Sequence, residues 1–134
     1  MTLSPIKSYR DLEVWQKAMK LAELCYRSTE EFHKRETYEL ASQIRRAVVS
    51  IASNIAEGHS RRSRPAYLNH LSIALGSQSE VETQIELASR LSMMPDEVAG
   101  EILTLAGQVG RMLHALITAL ERGNSKRGSG FPST

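Results

Sequence analysis

Apolar residues recur along the chain at steps of three and four, interrupted by Gly, Pro and clusters of charge, and this pattern predicts four long helices. The first spans residues 11–32, where Leu12, Trp15, Met19, Ala22 and Tyr26 form a stripe widened by Ala18, Cys25 and Thr29. Ser8, with Asp11 three residues on, has the spacing of a capping box at its entry. The second spans 37–58 on Leu40, Ile44, Val48, Ile51 and Ile55. Gly58 is its expected stop, because a left-handed residue costs glycine least. Beyond a basic loop, 59–64, the third helix starts near Ser63 and Pro65 and ends near Leu91. Leu68, Leu71, Leu75, Ile85 and Ala88 carry its seam, with Gln78 and Glu82 on or beside the same line. The fourth begins at Pro95, with Asp96 and Glu97 at the positive end of its dipole, and repeats Val98, Ile102, Leu105, Val109, Met112, Leu116 and Leu120 until Gly123.

Helices of about 22–27 residues joined by short links fold back on their neighbours, so an all-α, antiparallel up-down-up-down four-helix bundle follows. The expected organisation is an N-terminal arm at 1–10, the bundle at 11–122 and a disordered basic tail at 123–134, which is too polar and Gly-rich to pack. Composition agrees: 134 residues suit one domain, and 5% aromatic content fits a Leu/Ala-rich helical core better than a β-sandwich. No uninterrupted apolar run approaches the roughly 18 residues expected of a membrane span, and no secretory h-region opens the chain, so the expectation is cytoplasmic, without membrane.

Charge adds a second pattern that the net of +2 conceals. Residues 42–70 hold Arg45, Arg46, Arg61, Arg62 and Arg64 against Glu57 alone, whereas 80–101 hold Glu80, Glu82, Glu86, Asp96, Glu97 and Glu101 against Arg90. Arg122, Lys126 and Arg127 near the C-terminus face no acid. Such asymmetry suits an anionic partner or electrostatic docking between copies. An antiparallel turn centred near Arg62 sets Asn54 opposite His70, Glu57 opposite Tyr67, and Arg45 and Arg46 opposite Glu80 and Glu82. One of those arginines is expected to pair across the helices while its neighbour, about 100° away, looks outward. A turn near Arg35 likewise brings Trp15 to Ile55 and Asn54. Ser50, Asn54 and Glu57 share one helical face beside the apolar stripe. With Trp15, Tyr67, Gln78, Glu80 and Glu82 they form a candidate polar layer, expected to fix helix register rather than to catalyse.

Enzyme signatures are weak. A di-iron bundle needs two Glu-x-x-His motifs, and only Glu30 and His33 have that spacing. Ser4 and Lys7 match Ser-x-x-Lys without its partner motifs, and neither a phosphate loop nor a dinucleotide fingerprint is present. The single cysteine, Cys25, lies on the apolar side of the first helix, as a core thiol would. Gly76, Gly100, Gly107 and Gly110 interrupt helical patterns, for which close helix approach is the expected reason. The reading is of a non-catalytic protein, with no metal and no cofactor.

Three stretches carry a resemblance. Residues 11–18 (DLEVWQKA), then QIRRA at 43–47 with SIASNIAEG at 50–58, then IALGS at 73–77 followed by Glu80 and Thr83, resemble the four-helix-bundle family of 23S rRNA-intervening-sequence proteins. Residues 93–100 and the basic tail depart from it. The resemblance implies a bacterial protein forming a homopentameric ring, with no catalytic activity. It also implies kinship with accessory proteins of diversity-generating retroelements, which bind nucleic acid and a reverse transcriptase. Matching positions include Trp15, Arg45, Arg46, Asn54, Glu57, Gly58, Gly76 and Glu80, to which the family pattern gives no chemical role.

Together these readings point to an oligomeric nucleic-acid-binding bundle, with RNA the expected ligand. Its candidate phosphate contacts are Arg45, Arg46, Arg61, Arg62, Arg64, Lys126 and Arg127. Repetition around a ring would multiply weak sites, and scarce aromatics would leave sequence readout poor. The alternative is a protein scaffold whose charged faces dock a polymerase or another partner.

Overall fold

The computed structural model describes residues 6–127, and of Glu36 and residues 124–127 the backbone alone. A 3-10 turn at Tyr9–Asp11 leads into α1 (Glu13–Ser28), α2 (Arg35–Ser60), α3 (Arg64–Arg90) and α4 (Asp96–Arg127), with no strand among the described residues. Contacts run α1–α2, α2–α3, α3–α4 and α4–α1, so the helices stand at the corners of a square. Each neighbouring pair is antiparallel, as cross-bonds show: Arg45 to Tyr26, His70 to Asn54, Gln78 to Ala106 and Lys17 to Gln108.

The capping box at Ser8 and Asp11 forms, but around the 3-10 turn: the Ser8 hydroxyl accepts from Arg10 N–H and Asp11 accepts from the amides of Lys7 and Ser8. Backbone donors around a carboxylate favour its charged form, which holds Asp11 below the usual aspartate range. At α3 the Ser63 hydroxyl accepts from Ala66 N–H ahead of Pro65, as expected of an N-cap. Its C-terminus closes in a Schellman turn: Met93 N–H donates to Ala88 C=O, Ser92 N–H donates to Ser89 C=O, and Ser92 takes φ 57°.

The core is rotated from the expected stripes. In α1 the buried line is Val14, Ala18, Leu21, Cys25 and Thr29, whereas Trp15 and Ala22 are half-buried and Met19 and Tyr26 exposed. In α4 it is Ala99, Ile102, Ala106, Val109 and Leu113, with Leu105, Met112 and Leu116 packed at its flank. Small residues face inward where helices approach closely, and longer neighbours cover the seams between them. Burial pushes the Cys25 thiol up to about 12, since a thiolate would be stranded in apolar surroundings.

Three helix ends differ from expectation. Thr29 terminates α1 three residues before Phe32, its hydroxyl donating to Cys25 C=O at 2.7 Å. Gly58 does not stop α2; it lies buried inside it, where a Cβ would come 2.8 Å from His70 Cβ and 3.0 Å from Tyr67 Cδ1. Nor does Gly123 stop α4. The helix continues to Arg127, so residues 123–127, expected in a disordered tail, are helical, and 128–134 lie outside the described residues. Gly123 instead leaves room for Arg64, whose Nη1 reaches the Leu120 carbonyl. Among the other helix-interior glycines, Gly110 accommodates the Gln78 amide, whereas Gly76 and Gly100 face open space, so close approach does not explain those two. Within Asp96–Gly123, α4 also contains an 18-residue window with a mean hydropathy of 1.2, long and apolar enough to cross a membrane, as a bundle's core helix can be.

Candidate nucleic-acid interface

The seven basic residues do not form one surface. Arg61 and Arg62 are exposed in the three-residue turn between α2 and α3, where the backbone is extended beyond the helix and the side chains project from the bundle end. Arg64 sits half-buried beside them and bonds Leu120, tying the start of α3 to the end of α4. Lys126 and Arg127 occupy the last turn of α4 at this same end, though their side chains lie outside the description. Arg45 and Arg46, some fifteen residues back along α2, stand about 23 Å away at ~1.5 Å rise per residue.

Topology adds cations that sequence reasoning missed. The 3-10 turn packs against α2, so Lys7 and Arg10 join the Arg61–Arg62 end; Arg10 lies 5.4 Å above the Tyr9 ring and 6.0 Å from Trp15. With exposed Arg122, this end holds Lys7, Arg10, Arg61, Arg62, Arg64 and Arg122 against Asp11, Glu13, Glu57 and Glu121. Among the described side chains, the opposite end, at the α1–α2 and α3–α4 connections, carries Glu30, Glu31, Glu39, Glu86, Asp96, Glu97 and Glu101 against Arg27, Lys34, Arg35 and Arg90. Charge is therefore divided along the bundle axis. The antiparallel register implicit in the sequence placed residues across the α1–α2 and α2–α3 turns, but it did not extend to Lys7 and Arg10, which precede α1.

Arg45 has a different task from the one expected. Because α1 ends at Ser28, its last carbonyls face α2, and Arg45 donates from Nη2 to Tyr26 C=O at 3.1 Å and from Nε to Thr29 Oγ1 at 3.0 Å. A cation at a helix C-terminus also complements the dipole. Its guanidinium lies 4.6 Å over the Tyr26 ring. Arg46 is exposed, with a long 3.5 Å bond to Ser42, and shares a cavity lining with Ser50, Ser77 and Glu80. No ion pair joins Arg45 or Arg46 to Glu80 or Glu82 among the described residues: the α1 terminus captures the inward arginine first.

The polar layer exists in altered form. Ser77 and Ser50 hydroxyls lie 2.8 Å apart, Asn54 Nδ2 donates to the Ser50 carbonyl and hydroxyl, and Asn54 Oδ1 meets His70 Nδ1 at 3.0 Å. Glu57 stands 3.6 Å from the same ring nitrogen. The chain of bonds zips α2 to α3 in the register read from the turn. Gln78, also expected in the layer, is buried and donates to Ala106 C=O at 2.8 Å, serving the α3–α4 seam. Trp15 and Tyr67 do not join Asn54 as expected. Trp15 packs edge-on to Tyr9 at 5.2 Å, and Tyr67 edge-on to His59 at 5.8 Å. Burial raises the Tyr67 hydroxyl above its ordinary pKa. Glu80 is exposed, accepting a 3.4 Å bond from Gln84, and Glu82 is half-buried. The described residues contain no group of three metal-ligating side chains.

Residues 10–115 match the family model described as 23S rRNA-intervening sequence protein. A crystal structure of a protein with unknown function from the S23 ribosomal protein family of Bacteroides thetaiotaomicron is similar, with a TM-score of 0.74 at 25% identity. The alignment covers 78% of this chain and 95% of that one. No curated protein matches the sequence.

Proposed function

Because the chain belongs to the 23S rRNA-intervening sequence protein family, we propose that it is a non-catalytic, cytoplasmic RNA-binding bundle that grips phosphates with one end. The observation that carries this reading is the gathering of exposed Lys7, Arg10, Arg61, Arg62 and Arg122 at the α2–α3 turn. Phosphate contact by such side chains fixes position without reading bases, so affinity is salt-dependent and poorly selective. The test is binding of a labelled 20-nucleotide RNA by anisotropy at low salt, with Arg61→Glu/Arg62→Glu as the variant. Loss of two contacts and gain of two repulsions is expected to weaken binding by more than tenfold and flatten the salt slope. Unchanged affinity overturns the site.

The protein acts as a homo-oligomer in this reading, a five-membered ring as the family resemblance implies. Support comes from α3, where Ile73, Gly76, Glu80, Thr83 and Leu87 follow alternating steps of three and four and are all exposed. Ile73 and Leu87 are each 46% accessible, an unusual placement for large apolar residues on a heptad seam. Solution mass by light scattering is expected near five times the 14.9 kDa chain, and Ile73→Glu/Leu87→Glu is expected to reduce it to one. A second reading, an accessory subunit that docks a reverse transcriptase or other polymerase, is favoured by the acidic end. Partners that survive nuclease treatment would support it.

A further inference from the structure

We propose that the cavity between the end of α1 and the start of α2 binds a nucleoside monophosphate unit, either free or as one residue of a single-stranded RNA. The cavity has a volume of about 520 Å³ and opens to solvent. Its apolar floor is Phe32 and Ala41, both buried. Tyr38, 65% accessible, and Tyr26, 42% accessible, stand on its walls, and His33 contributes a further ring. Arg45 and Arg46 supply the cations, and Glu30 is the one carboxylate among the described lining residues.

Each part answers one part of a nucleotide. Tyr38 makes no ring contact or hydrogen bond among the described residues through its side chain and presents an aromatic face to water, which a base can cover. Arg45 is held over the Tyr26 ring by its bonds from Nη2 to Tyr26 C=O and from Nε to Thr29 Oγ1, so Nη1 remains for a ligand on an already ordered guanidinium. Ordering it in advance removes most of the entropy that a free arginine loses on binding phosphate. Arg46, exposed beside it, provides a second, mobile donor set. Glu30 offers an acceptor to a ribose hydroxyl or exocyclic amine, groups that a simple anion lacks. A cavity built only for inorganic phosphate would need no aromatic walls, and one built for an apolar ligand would not carry two arginines. Aromatics free for stacking were expected to be few, with Tyr26 in the core stripe and one of Arg45 and Arg46 in an ion pair, whereas Tyr26 and Tyr38 are both exposed.

As a subsite for RNA this proposal rests on the RNA-binding reading above; as a site for free nucleotide it does not. The experiment separates them. Adenosine 5′-monophosphate is titrated into the full chain while the Tyr and His ring resonances are followed by NMR. Signals of Tyr38, Tyr26 and His33 are expected to move together and saturate. Tyr38→Ala and Arg46→Ala, both at exposed positions, are each expected to weaken binding at least about fivefold with an unchanged melting temperature. Tyr38→Phe is expected to bind as wild type, since stacking needs the ring and not the hydroxyl. Rings that stay unmoved at millimolar nucleotide, or equal affinity of Tyr38→Ala, overturn the proposal. The 20-nucleotide RNA then identifies the source. Weaker RNA binding by Tyr38→Ala assigns the subsite to RNA; unchanged RNA binding with lost nucleotide binding assigns it to free nucleotide. RNA binding that depends on Arg61 and Arg62 while the rings ignore nucleotide refutes the subsite and leaves the RNA reading standing.

Discussion

Replacing Gly58 by alanine tests how closely α2 and α3 approach. A Cβ at this position would lie 2.8 Å from His70 Cβ, 3.0 Å from Tyr67 Cδ1 and 3.3 Å from the Tyr67 carbonyl. The Tyr67 ring can swing aside, but His70 Cβ is the root of its side chain and the Tyr67 carbonyl is backbone, and no rotamer change moves either. The helices must therefore separate by at least roughly 0.6 Å to restore ordinary contact. Overpacking of this kind costs about 2–3 kcal/mol, and the better helix propensity of Ala returns about 1 kcal/mol. The net expectation is a loss of about 1–2 kcal/mol. Gly100→Ala is the control, because open space surrounds Gly100 and only the propensity gain of about 0.5–1 kcal/mol applies. Urea unfolding at one fixed protein concentration measures both, with an unchanged m-value required for comparison. If Gly58→Ala is as stable as Gly100→Ala, the α2–α3 seam is looser than described and the argument fails.

Further outcomes follow from other contacts. Ser92→Gly relieves a left-handed serine in the Schellman turn and is expected to raise stability by about 0.5–1 kcal/mol in the same urea assay. Cys25, with its thiol raised to about 12, is expected to resist thiol reagents at pH 8 until the protein unfolds. The folded state keeps that proton while the unfolded chain releases it above pH ~8.5, so stability falls as pH rises from there toward 12, by at most about 1.4 kcal/mol per pH unit. Cys25→Ala should abolish that slope. Arg45→Met keeps the aliphatic stem but loses the α1 cap, with an expected loss of about 1–2 kcal/mol and faster amide exchange at Thr29.

The parts legible in the sequence were those that periodicity and turn position dictate. Four helices, their order and the α2–α3 register follow from steps of three and four and a short polar turn, and the Asn54–His70 bond was found where that register put it. Rotation of the helices was harder. In α1 and α4 apolar residues occupy more than one stripe, and the choice of inward face is made by which side chains let neighbours approach. Ala18 and Ala106 lie fully buried while the longer Met19 reaches the surface. The role of Arg45 was hidden for a related reason. It depends on where α1 ends, and apolar Phe32 extended the pattern beyond Thr29, the residue that caps the helix. The charge-bearing end was read only in part, since Lys7 and Arg10 join it through the fold and not through proximity in the chain.

The turn at residues 61–63 sets an order of assembly. It joins two helices of 26 and 27 residues that share the most extensive seam of the bundle. Closing so short a loop costs little chain entropy, whereas bringing α1 to α4 must close nearly the whole polypeptide. The central hairpin can therefore zip from its turn outward and present a template on which the flanking helices settle last. A circular permutant opened at this turn would turn the quickest encounter into the slowest, retaining the architecture while delaying its arrival.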